Sequence, residues 1–225
     1  MTLRRSLVLK LVPEPGNTLS VVLTSILILR PRRSAARFIR DRLDELEGLG
    51  QRIPPLTREI RTLEGIRGGT LAGVGATEDH ALVDACFLLL QHAGRMWIGV
   101  GAHHPVEAAE SPTLNSPEPI SENRLAASWW AYEDVADHWD ELTLRTYRGE
   151  QRSGWEAIQV STLNDGDRPE QLLKSCHPSG SLPEGTMLFC AIAAAPARLS
   201  SGLFVRCELQ DEALGRQIRL DYRRR

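Results

Sequence analysis

Asp84-Ala85-Cys86 sets a carboxylate and a thiol two residues apart in an apolar run. Further on, the chain supplies His103 and His104 and, beyond Pro105 and Val106, Glu107. Residues two apart in a strand project from one face, so Asp84 and Cys86 share a side of any sheet built from Ala81–Leu90. If Arg95–Val100 pairs with that run, a carboxylate, a thiol and two imidazoles gather near one sheet end. Such a set could bind a metal, run acid/base chemistry, or do neither. Each member also has a bland account: a strand-edge aspartate, a core cysteine, and histidines in a solvated loop. The residue types alone leave these readings open.

The elements that must position these groups read as β. Ala81–Leu90 and Arg95–Val100 are separated by Gln91-His92-Ala93-Gly94, which is hairpin spacing. From Ala102 to about Asn123 runs a polar stretch with four prolines, expected to be a long loop. Upstream, Ser6–Val12 predicts a strand, Pro13–Asn17 a turn, and Leu19–Leu29 one buried strand. Ser34 is placed to cap a helix carrying Ala35, Ala36, Ile39, Leu43 and Leu46, stopped by Gly48 and Gly50. Pro54-Pro55 then demands extended chain.

Downstream, Val135, Trp139 and Leu142 predict a short helix over Tyr132–Leu142. Glu141–Tyr147 and Trp155–Thr162 read as a strand pair. Asp167-Arg168-Pro169-Glu170 opens a helix ending near Cys176. Thr186–Ala194, Gly202–Leu209 and Gln217–Tyr222 complete the strands. The sum is one β-rich α+β domain over 1–225, with a few peripheral helices and an N-terminal β/α segment at about 1–60.

Composition narrows the function. The 225 residues are 42% hydrophobic and 25% charged, which excludes wholesale disorder. Lys plus Arg is 27 against 29 for Asp plus Glu, a net charge of −2, so no basic excess points to nucleic acid. Lys10 and Lys174 are the only lysines, which removes most lysine-dependent mechanisms. The four cysteines, Cys86, Cys176, Cys190 and Cys207, form no C-x-x-C pair. No apolar run approaches the roughly 20 residues of a membrane helix, so a cytoplasmic protein without membrane contact is expected. Walker, G-x-G-x-x-G and G-x-S-x-G motifs are absent. Gly73-Val74-Gly75 and Gly99-Val100-Gly101 read as turn glycines at strand ends. Trp129, Trp130 and Trp139 read as buried packing rather than a binding wall.

Four segments carry a resemblance: Gly94–Gly101, Val135–Asp140, Pro183–Cys190 and Leu214–Arg219. With the helix ending Leu43–Gly50, they resemble a bacterial family of uncharacterised proteins distantly similar to fumarylacetoacetate hydrolases. The resemblance covers about residue 30 to the end. It implies a fumarylacetoacetate-hydrolase-like fold, a mixed β-roll that is commonly dimeric, so a homodimer is expected. It also implies a divalent metal, often Mg²⁺, on a Glu-x-Glu pair and a further Asp, and cleavage or rearrangement of oxo-acids and β-dicarbonyl compounds.

The pattern departs at the metal. Glu-x-Glu falls on Asp84-Ala85-Cys86, and the Gly-Ser-Asp-His-Thr-Asp stretch on Gly101–Val106. A lysine of the following loop falls near Thr113. A carboxylate, a thiol and an imidazole suit Mg²⁺ poorly. The leading expectation is therefore a small-molecule enzyme working without a cofactor, with His103 or His104 as acid/base, Asp84 as partner and Glu107 as auxiliary acid. Its substrate would be carbonyl-rich or polyketide-like, and its chemistry dehydration, C–C cleavage or cyclisation, in the manner of specialised biosynthesis. Trp97, Cys86, Cys190 and Thr113 are expected to line the substrate pocket. One alternative keeps a divalent transition metal on Asp84, Cys86 and His103, for hydrolysis or lysis of oxo-acids. The other is a non-catalytic ligand-binding protein.

Overall fold

A computed structural model describes residues 5–11, 18–23, 25–30, 59–62, 70–71, 80–104, 123–176, 179–192 and 197–224. The strands in its first half are β1 (Arg5–Leu11), β2 (Thr18–Leu23), β3 (Ser25–Arg30), β4 (Glu59–Thr62), β5 (Thr70–Leu71), β6 (His80–His92), β7 (Arg95–His103), β8 (Asn123–Leu125) and β9 (Ser128–Ala131). The second half adds β10 (Thr143–Gly149), β11 (Glu156–Thr162), β12 (Thr186–Ala191), β13 (Ala197–Ser200), β14 (Phe204–Asp211) and β15 (Arg216–Arg223). One α-helix, α1 (Pro169–Cys176), occurs among the described residues, beginning with proline at its first position, where the missing N–H costs nothing. The helix expected from Ser34 lies outside the described residues, as do Glu107 and Thr113.

The strands form two sheets. The larger has the order β2-β1-β9-β7-β6-β12-β3-β4, with β13 joined to β6, and β8 linking β7 to β5. It is mixed: β1–β9 and β12–β3 are parallel, and the other pairs antiparallel. The smaller is antiparallel, in the order β11-β10-β14-β15. Central to the larger sheet is the β6–β7 hairpin, whose loop is only Ala93-Gly94, both at positive φ (53° and 72°). Two left-handed residues in succession define the turn whose twist suits a hairpin.

β6 is buried on both faces, and this explains its nearly unbroken apolar run. Ala85, Phe87 and Leu89 face the core shared with the smaller sheet, which supplies Leu144, Cys207, Leu209 and Ile218. Cys86, Leu88 and Leu90 face a second core with Trp97, Trp129 and Phe189. Trp129, Trp130 and Trp139 are all fully buried, so their clustering serves packing.

Three expectations need correction. Leu19–Leu29 is not one strand: β2 pairs with β1 at one edge, and β3 lies between β12 and β4 near the other. A continuous apolar run carries no mark of where its chain changes partners. Tyr132–Leu142 is not one helix but short 3₁₀ turns over Tyr132–Asp134 and Ala136–Glu141, because Val135 (φ −122°, ψ −6°) and, within the second stretch, His138 (φ −121°, ψ 28°) interrupt the winding. Gly99 and Gly101 are not turn glycines. They lie within β7, where a Cβ on Gly99 would stand 2.8 Å from the Trp129 ring, and one on Gly101 2.8 Å from the Arg124 carbonyl oxygen.

Two of the segments that carry the family resemblance meet at a buried charge lock. Asp211, fully buried, accepts from Arg216 Nε at 2.9 Å and from the Leu214 N–H at 3.1 Å, and bonds His138 Nε2 at 3.0 Å. Arg216 also stacks on Trp130, 4.5 Å from the ring centre. Burial alone would raise the Asp211 carboxyl, but the bonds from Arg216, His138 and the Leu214 N–H outweigh it and hold the group below its usual range. A depressed carboxyl stabilises the fold above its unfolded pKa, about 3.9, and loses that stabilisation as pH falls through its folded value. Asp211→Asn is expected to cost about 2 kcal/mol at neutral pH and to flatten the acid limb of a urea-midpoint-against-pH profile. An acid limb of wild-type steepness in the variant would remove this assignment.

Candidate functional site

The hairpin register brings Asp84 directly opposite His103, and the next ladder brings His103 directly opposite Asn123. Directly opposed residues point to the same side, with Cβ atoms about 5 Å apart. Asp84, His103 and Asn123 therefore form one row across β6, β7 and β8, and are 0%, 2% and 1% exposed. Nδ1 of His103 is hydrogen-bonded to the Asn123 amide oxygen. An amide oxygen only accepts, so Nδ1 carries the ring proton and the neutral imidazole keeps its lone pair on Nε2.

His104 does not join this row, which corrects the expectation of tandem imidazoles at one mouth. Successive residues alternate sides, so His104 turns toward the smaller sheet. There its Nε2 lies 2.8 Å from the Tyr222 hydroxyl, with the two rings edge to face at 83°. Arg124, the residue after Asn123, stacks its guanidinium on the same tyrosine at 4.7 Å. The end of β7 thus carries Asp84–His103–Asn123 on one side and His104–Tyr222–Arg124 on the other.

The remaining candidates lie elsewhere. Cys86 shares the Asp84 side of β6 by alternation, but sits in the apolar core, its Sγ 3.6 Å from the Asp84 carbonyl oxygen. Cys190 is 2% exposed in the inter-sheet core, opposite Phe87. Trp97 is at the turn end of β7, its indole N–H donating to the His92 carbonyl at 3.3 Å. It stands six positions along the strand from His103, about 20 Å, so it does not meet the row. Cys207 is also buried, and burial pushes its thiol up to about 12, with the charge of Asp84 among those acting in the same direction. It is a packing residue, not a nucleophile.

Sequence reasoning missed Asn123, Arg124 and Tyr222. Tyr222 carried a usable signal: it follows Ile218 and Leu220 at alternate positions, and a tyrosine on an inward face needs a partner for its hydroxyl. Asn123 and Arg124 carried none, being in a three-residue strand at the end of a polar stretch.

The described donors do not fit the Mg²⁺ implied by the resemblance. Of the three positions, one is a carboxylate, one a thiol packed among Leu88, Leu90 and Phe189, and one an imidazole held by Asn123. Magnesium wants six oxygens in near-octahedral array. Among the described residues, no group of three His, Cys, Asp or Glu converges as a metal would need.

Comparison with known structures defines the class of fold. A structure titled "putative fumarylpyruvate hydrolase" from Burkholderia cenocepacia is 11% identical, with a TM-score of 0.53, over 100% of this chain and 98% of that one. Another, titled "putative fumarylacetoacetate isomerase/hydrolase", from Oleispira antarctica, is 13% identical over 95% of this chain and 97% of that one, with a TM-score of 0.47. The fold is the β-rich, fumarylacetoacetate-hydrolase-like α+β fold. Within it, the chain belongs to the family described as protein of unknown function DUF2848, whose model matches residues 32–222. No curated protein matches it in sequence. Among the described residues, no helix is long and apolar enough to cross a membrane.

Proposed function

We propose that this protein is a small-molecule enzyme that moves a proton with His103 on a fumarylacetoacetate-hydrolase-like scaffold, without Mg²⁺ at Asp84. The observation that carries the reading is the buried row Asp84–His103–Asn123. Burying an ionisable pair beside an amide costs stability, and that cost is usual where a base must be held in one tautomer. Asn123 directs the lone pair to Nε2, and the Asp84 carboxylate on the same side favours the imidazolium formed when Nε2 takes a proton. Removing a proton beside a carbonyl gives an enolate. Dehydration, C–C cleavage and cyclisation of a carbonyl-rich substrate can all begin there. A homodimer, the cytoplasm and a role in specialised biosynthesis belong to the same proposal.

The test uses the whole protein and a panel of 2-oxo acids and β-dicarbonyl compounds in D₂O. Proton NMR is expected to show exchange α to the carbonyl, accelerated over buffer for at least one member and unchanged by EDTA. Buffer-level exchange across the panel, or exchange abolished by EDTA and restored by a divalent metal, would sink the reading.

A further inference from the structure

On the far side of β7 from Asp84 and His103, the end of β15 borders a groove of about 650 Å³. Three arginines line it, Arg124, Arg223 and Arg224, together with Ser201, Tyr222 and Asp221. The one lining acid is already engaged: Asp221 receives both Nε and Nη2 of Arg206, each at 2.7 Å. Two lining arginines are braced by backbone oxygens, Arg223 Nε donating to the Gly202 carbonyl at 3.1 Å and Arg224 Nη1 to that of Leu199. Arg223 also lies over the Phe204 ring at 5.7 Å. Among the described residues no carboxylate pairs with Arg223, whose side chain lies at an exposed position on the groove.

The backbone around the groove is fixed as well. The Gly202 N–H donates to the Arg224 carbonyl at 3.1 Å, and the Arg224 N–H to that of Leu203 at 2.8 Å, extending the β14–β15 ladder past its last residues. Arg124 is held on the Tyr222 ring, whose hydroxyl is tied to His104. Cations held in place lose little freedom when they grip an anion, and a planar fork matches two oxygens of one group.

We propose that this groove is a binding site for a multiply charged oxyanion carried by a small molecule, gripped by Arg223 with Arg124 and Arg224. A phosphate monoester and a polycarboxylate share that chemistry. The site stands independently of the proton-transfer reading, because it uses the opposite side of β7 and is read out by binding alone.

The test is calorimetric titration of the whole protein with inorganic phosphate, with citrate and with acetate, at matched ionic strength. Phosphate or citrate is expected to saturate with Kd of order 1 mM or tighter, and acetate to bind far more weakly. Tighter phosphate assigns the phosphate class, and tighter citrate the polycarboxylate class. Arg223→Gln, at an exposed position, is expected to weaken binding about tenfold with an unchanged melting temperature. Serving as a second probe, Ser201→Arg is expected to tighten it. No saturation by either polyanion, acetate binding as well as they do, or wild-type affinity in Arg223→Gln would overturn the proposal. Loss of α-proton exchange with retained anion binding would count against the enzyme reading only.

Discussion

Replacing His103 with alanine is expected to slow α-proton exchange on a responsive substrate by roughly 10²–10⁴-fold, the usual worth of a positioned general base. The size of the effect follows from the row. Asn123 occupies Nδ1, so Nε2 is the nitrogen able to accept, and Asp84 lies opposite on the same side. The substitution also removes the donor from a buried amide oxygen, at a cost of about 1–3 kcal/mol in stability. A fall in activity could then reflect loosened structure. Added imidazole separates the two causes, since it should restore exchange in proportion to its free-base fraction if a missing base is the defect. Asn123→Ala should act differently, as loss of a positioning residue: it frees the ring to choose tautomers and shifts the pH profile of exchange. Undiminished exchange in His103→Ala would remove His103 from the mechanism. A slowed variant that imidazole fails to rescue, with a lowered urea midpoint, would reduce the row to a structural one.

How much of this arrangement could be read in advance depends on how local each cause is. The β6–β7 hairpin is legible because its signals are adjacent: two apolar runs and a short Gly-containing link. Once those strands pair, Asp84 opposite His103 follows from counting back from the turn. The division between His103 and His104 is not legible, because it depends on β7 continuing to His103, past the apolar run ending at Val100. Read as loop residues, the two imidazoles could face one way; as strand residues they cannot. Asn123 was hidden for the same reason at the other end of the polar stretch, where β8 is too short for any periodicity. Its pairing with β7 is decided by partners distant in sequence. Tyr222 was legible as an inward residue of an alternating strand, but its partner His104 is not. The glycines of β7 mark the remaining failure: a G-x-G at the end of an apolar run looks like a turn, and only the fold shows an indole lying on it.

That indole sets the largest expected effect on stability. Gly99 is in β7, flanked by β6 and β9 in the middle of the larger sheet, and Trp129 of β9 lies against its bare Cα. An alanine Cβ would meet Cδ2, Cε2 and Cε3 of the ring, each at 2.8 Å, a separation that no packed pair of carbons sustains. Neither partner can yield cheaply. The strand is fixed by ladders on both sides, and the indole is fully buried with its N–H donating to the Ala126 carbonyl at 3.0 Å. Gly99→Ala is therefore expected to destabilise by about 3 kcal/mol, at the upper end of ordinary overpacking. This would override the gain that a glycine-to-alanine change brings by stiffening the unfolded chain. Chemical denaturation measures it, and a double-mutant cycle identifies the cause. Trp129→Leu alone should cost a few kcal/mol through the cavity it leaves, but in its presence Gly99→Ala should cost almost nothing, because the clashing ring is gone. Additive losses in the double variant would mean that something other than the Trp129 ring forbids a side chain at this position, and a near-neutral Gly99→Ala would mean that the ring and strand are not in close contact at all.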